Sequence, residues 1–178
     1  MRKKLKTSRP VSRGMIERHV KPGLRELVSK KFSQIDRAKW PFEIKNDVKH
    51  LVYAAACNEN IARYYAKPKV AVPHAFLVQI YANTLFREFN RFFASKNLEE
   101  FIAMRQPLPG RGRAWYGTKK EVLDDILQLL EKNRIPKKKI EEVREFVSRN
   151  QKKLTVVQLH RVQHYVVGLV IAARHGLV

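Results

Sequence analysis

The chain has 178 residues, of which 37 are Lys or Arg against 16 Asp or Glu, for a net charge of +21 and a pI near 10.4. That length suits one domain with an appended arm, and a charge so far beyond the needs of solubility implies a polyanion or an acidic surface as partner. A single cysteine, Cys57, excludes an intrachain disulfide and a Cys-based zinc site, and fits a reducing intracellular setting.

Taken in chain order, apolar residues recur at spacings of three and four and strict alternation is scarce. The expected fold class is therefore all-α: a helical bundle of about four to six helices, residues 41–178, behind an extended basic N-terminal helical arm, residues 1–40. Residues 1–14 are basic, contain Pro10 and Gly14 and show no periodic face, so they read as a segment that orders on a partner. VSRGMIERHV stands where a secretory leader would carry its apolar stretch, so no leader is expected.

Residues 23–39 form a helix with Leu24, Leu27, Val28, Phe32 and Ile35 on one stripe, expected to pack on the arm of another subunit, and Trp40-Pro41 ends it. A second helix runs over 42–66, with Ile44, Val48, Leu51, Val52, Ala55 and Ile61 inward. Pro73 opens a third over about 73–95, whose stripe is Leu77, Ile80, Tyr81, Leu85, Phe89 and Phe92. Asn97 caps a short helix to Met104, and QPLPGRGRAWYG at 106–117 is a loop rich in Arg and aromatics.

Capping boxes, Thr118 with Glu121 and Thr155 with Gln158, open helices to about Lys132 and Arg174, where Gly176 stops the last one. Between them Pro136 starts a helix with Ile140, Val143, Phe146 and Val147 inward. The longest apolar run, VVGLVIAA at 166–173, is far short of the ~20 residues that cross a bilayer, so no transmembrane segment is expected.

No phosphate-cradling glycine loop, H-E-x-x-H or nucleophile elbow is present, so no enzyme, cofactor or metal site is expected. His160 and His164 share a face at i,i+4, yet no further ligand lies at matching spacing, and they read as polar-face or interface histidines. Asp124-Asp125 and Glu141-Glu142 are adjacent in sequence and point to different sides of their helices. Phe76, Phe86, Phe89, Phe92 and Phe93 read as core or subunit interface, whereas Trp115 and Tyr116 either anchor their loop or meet nucleic acid.

The charge is heaviest at the front: 18 Lys and Arg against 6 Asp and Glu up to residue 70, and 19 against 10 after it. Candidate DNA-binding residues are Arg2, Lys3, Lys4, Lys6, Arg9, Arg13, Arg18, Lys21, Arg25, Lys30 and Lys31, continued by Arg37, Lys39, Lys45 and Lys49 and by Arg87 and Arg91 further on. A duplex carries roughly one charge per 1.7 Å, so +21 matches about ten base pairs, which suits coating DNA better than reading one site. No zinc finger, basic zipper or RRM signature argues for direct base reading.

Residues 81–130, YANTLFREFNRFFASKNLEEFIAM and then AWYGTKKEVLDDILQLL, resemble the major coat (capsid) proteins of filamentous archaeal viruses of the rudivirus, lipothrixvirus and tristromavirus type. The shared pattern is an aromatic-rich helix carrying Arg87 and Arg91, a short helix, and Trp115-Tyr116-Gly117 leading into EVLDDIL. Residues 136–178 exceed the shorter rudivirus proteins and look more like the longer, enveloped relatives.

The resemblance implies a bundle that forms the wall of a helical filament, while the N-terminal arm wraps linear double-stranded DNA held in A-form. It implies subunits paired as homodimers or as heterodimers of two paralogues, and a virion assembled in the host cytoplasm, with contact to a lipid envelope in enveloped members. The alternative is a small helical nucleic-acid-binding subunit of a CRISPR effector complex, which needs partner proteins and prefers single strands or heteroduplex. A chromatin-like host protein is a third reading.

Overall fold

The computed structural model describes residues 9–66, 71–104 and 118–178, and among them lie nine helices and no strand. Beyond the expected arm helix, the count exceeds four to six for two local reasons. Residues Arg13–His19 form α1, opened by the Ser12 hydroxyl, which accepts from the Met15 N–H at 3.2 Å. The long helix expected over 42–66 is two, α3 (Phe42–Cys57) and α4 (Glu59–Ala66), with α2 (Pro22–Arg37) before them.

Asn58 makes that break. Its backbone is extended at φ −137°, ψ 111°, its N–H still closes α3 on Ala54, and its side-chain oxygen accepts from the Asn60 N–H at 2.9 Å. One residue thereby ends one helix and caps the next, the competition that Asn side chains offer the helical backbone.

The helices α5 (His74–Ala94), α6 (Leu98–Ala103), α7 (Lys119–Lys132), α8 (Lys137–Asn150) and α9 (Val156–Arg174) complete the order. By their contacts the described residues fall into two compact units that divide between Asn90 and Arg91. Helices α1 and α2, which precede residue 41, belong to the same unit as α3 and α4.

In the N-terminal unit α2 packs on α3. Leu24, Val28, Phe32 and Ile35 of α2 are buried together with Ile44, Val48, Val52 and Ala55 of α3. Burying each large apolar side chain is worth about 1.5–3 kcal/mol. The α2 stripe read as a contact between subunits is thus covered within the chain itself, with Leu27 half-buried at its margin. Trp40, held out of helix before Pro41, is buried against Phe86 and Phe89 of α5 at centroid distances of 5.3 and 5.7 Å, and its Nε1–H donates to Asn90 Oδ1 at 2.9 Å. The proline that stops α2 therefore also aims the side chain that pins α5.

In the C-terminal unit α9 is central: Leu159, Val162, Tyr165, Val166 and Leu169 are buried against Phe92, against Leu98 and Phe101 of α6, and against Val122, Ile126 and Leu130 of α7. Both capping boxes form, at Thr118/Glu121 and Thr155/Gln158. Helix α9 ends in a Schellman motif. Leu177 N–H reaches the Ala172 carbonyl, Gly176 N–H the Ala173 carbonyl, and Gly176 takes φ +70°, which only glycine adopts without strain. Arg161 Nη2 donates to the Phe101 and Met104 carbonyls, satisfying the last turn of α6. The aromatic series on α5 splits by angle: Phe89 and Phe92 are buried, Phe86 is half-buried, and Phe76 and Phe93 face solvent.

Candidate nucleic-acid interface

Charge is distributed unevenly within each unit. Residues 9–39 hold nine Lys and Arg against three Asp and Glu, whereas the other described residues of the N-terminal unit, 40–66 and 71–90, hold four of each. Among the described residues of that unit the positive excess therefore sits on α1, α2 and the turns beside them. Helical geometry then sorts the cations. Positions 24, 28, 31, 32 and 35 of α2 face inward, so Lys30 and Arg37 fall on the outer side and Lys31 does not.

Arg9, Arg13, Arg18, Lys21, Lys30, Arg37 and Lys39 are exposed. His50 Nε2 lies 2.6 Å from the Arg9 carbonyl oxygen and ties the segment before α1 to α3. Arg13 Nε meets Glu17 Oε1 at 2.9 Å, and Arg18 Nε donates to the Gly14 carbonyl at 3.2 Å, so both guanidinium groups lie along the α1 surface. Arg25 turns back: Nε donates to the Val20 carbonyl at 3.0 Å and Nη2 to the Glu17 carbonyl at 2.5 Å, closing the last turn of α1. A cation at that end of a helix also meets the negative end of its dipole.

Other sequence-read candidates serve the fold. Lys31 is 7% exposed, and its Nζ donates to Asn83 Oδ1 at 2.6 Å. Burial, and then the neighbouring Lys30 charge, hold its ammonium below the ordinary lysine value. Lys45 and Lys49 converge on Asp36: one Nζ donates to its carbonyl at 2.7 Å, the other pairs with Oδ1 at 2.6 Å and stands 5.4 Å from the centre of the Phe32 ring. Arg87 is half-buried, with Nε 3.8 Å from Glu88 Oε1, and Arg91 is buried. Arg2, Lys3, Lys4 and Lys6, like Trp115 and Tyr116, lie outside the described residues.

The C-terminal unit has a parallel asymmetry, in residues outside the candidates read from the sequence. Residues 132–153 hold nine Lys and Arg against three Asp and Glu, and the rest of that unit's described residues hold six of each. A running count of charge along the chain would have found this segment.

Among the described residues no group of three His, Cys, Asp or Glu side chains is placed to hold a metal ion, and no helix is long and apolar enough to cross a membrane. His160 is buried and His164 half-buried, their ring centres 6.2 Å apart. Asp125 accepts a hydrogen bond from Gln163 Nε2, tying α7 to α9, while Asp124 faces solvent. Compared with known protein families, with curated proteins and with solved structures, the chain matches none of them.

Proposed function

We propose that the chain is a structural nucleoprotein, a coat subunit that wraps linear double-stranded DNA without reading its sequence. The observation that carries this reading is the concentration of the excess charge of the N-terminal unit's described residues in residues 9–39, with Lys30 and Arg37 on the outer side of α2 and Arg9, Arg13, Arg18, Lys21 and Lys39 exposed around it. Exposed cations of this kind neutralise phosphates, which positions a protein on a duplex without selecting bases. Residues 1–8 add four more cations and no acid to the same end of the chain.

The resemblance of residues 81–130 to filamentous-virus coat proteins supplies the rest of the proposal: A-form duplex, paired subunits, a helical polymer and a virion. With the α2 stripe covered inside the chain, subunit contacts in that polymer use other surfaces.

Binding to two duplexes of equal length and unrelated sequence, followed across a salt series, tests the reading. With about eight phosphates neutralised, log K falls against log salt with a slope of about −7, the same for both duplexes. Lys30→Gln with Arg37→Gln makes the slope shallower by about 2, whereas Lys31→Met leaves it unchanged because that ammonium already points at Asn83. A slope near zero, or strong preference for one duplex, contradicts the proposal.

A further inference from the structure

We propose that the outer face of α8, with the turn that follows it, is a second duplex-binding surface, so that one chain holds two DNA segments at once. This rests on the reading of the chain as a duplex-binding protein. Of the net charge of +9 on residues 91–178, +6 lies in residues 132–153, more than an even spread of charge for solubility would place there.

Helix α8 buries Val143 and turns the opposite side outward, where Lys137, Lys138, Arg144 and Arg149 are exposed. Glu141 pairs with Lys137 at 3.8 Å, Glu145 with Arg149 at 3.7 Å and Glu142 with Lys139 at 2.8 Å, and Arg144 stands 3.7 Å from Glu131, so the cations of the strip not matched by an acid are Lys138, Lys152 and Lys153. The turn at Gln151–Lys153 extends the strip with the exposed Lys152 and Lys153. Fourteen helical residues span about 21 Å, the axial length over which a duplex presents about twelve phosphate charges.

The composition of the face favours a duplex over an anionic membrane. An interfacial helix places apolar side chains where they insert among lipids, but the exposed residues of α8 are Lys137, Lys138, Glu141, Arg144, Glu145, Ser148 and Arg149, all polar. The α1–α2 strip belongs to a different compact unit with its own core, so each strip is carried by a separate scaffold.

The test uses the full chain with Lys138→Gln, Lys152→Gln and Lys153→Gln, against a control with Lys119→Gln and Lys120→Gln, exposed cations of the same unit outside the strip. Energy transfer between donor-labelled and acceptor-labelled duplexes reports bridging, and a salt series reports the phosphates engaged. The expected result is bridging by the wild-type chain, a fivefold or greater loss of it in the triple variant, and a slope shallower by about 3, with the control close to wild type. Unchanged bridging and slope in the triple variant overturn the inference, as does an equal loss in the control. So does loss in the triple variant of binding to phosphatidylserine vesicles alone, with its DNA behaviour intact. Wild-type chains that bind a duplex but never bridge two overturn it while leaving the duplex-binding reading in place; chains that bind no duplex overturn both.

Discussion

The ring of Phe92 occupies the space where a side chain on Gly168 would begin. A Cβ built there lies 2.5 Å from Phe92 Cδ2 and 2.8 Å from Cγ, and Phe92 is itself held against Tyr165 at a centroid distance of 5.4 Å. Glycine inside a helix ordinarily costs about 1 kcal/mol relative to alanine, so on propensity alone Gly168→Ala would stabilise α9. Overpacking a filled core costs about 1–3 kcal/mol, and the expected outcome is a net loss of about 1 kcal/mol, seen as a lower urea midpoint; a raised midpoint would contradict this account of the contact. The sequence shows a glycine interrupting VVGLVIAA but not the ring that requires it, because Phe92 lies far away along the chain. Lys30 and Lys31 teach the same lesson at one residue's separation. Composition treats them alike, and only the inward direction fixed by Leu24, Val28, Phe32 and Ile35 sends one ammonium to solvent and the other to Asn83.

At the scale of elements, the capped helices were legible because their signals are local. Asn97, Thr118/Glu121 and Thr155/Gln158 all cap where their spacing said they would. Helix α1 was not, since its short span buries only Ile16 and offers no periodic face, and it stands by the Ser12 cap and by Arg25 reaching back to its carbonyls. The break at Asn58 was hidden by apolar periodicity that continues across it.

Glu142 is the clearest tie between elements: Oε1 accepts from the Leu98 N–H at 2.7 Å, at the start of α6, and from the Tyr165 hydroxyl at 3.1 Å on α9, while Oε2 accepts from Lys139 Nζ at 2.8 Å. Burial opposes its ionisation, but the Lys139 hydrogen bond, the Leu98 N–H, the Lys139 charge and the Tyr165 hydroxyl together hold the carboxyl below its ordinary value of 4.5. A depressed carboxyl contributes stability that is whole above the unfolded-state value and is lost as pH falls through the folded one. Glu142→Gln should therefore cost about 1–2 kcal/mol at pH 7 and progressively less as pH falls below about 4.5, where the carboxyl of the unfolded chain takes up a proton before that of the folded one. Thermal melts of the two proteins across that range check it, and a penalty independent of pH would contradict the assignment.

For the whole molecule, the all-helical class and the excess of charge were readable from composition and periodicity, which need no knowledge of what touches what. The placement of that charge was not. It depends on which side of α2 and α8 faces inward, and the cations read from the front of the chain divide into exposed ones and ones that hold the fold together, such as Arg25 on α1 and Lys49 on Asp36. Among the described residues each of the two units pairs a charge-neutral remainder with one basic strip. The central claim is that these strips coat duplex DNA. Electron microscopy of the purified chain mixed with linear duplex, beside protein alone and single-stranded DNA of the same length, tests it most directly. The account predicts continuous filaments of uniform width on the duplex and none in the other two samples; bare duplex, or filaments formed on the single strand alone, would contradict it.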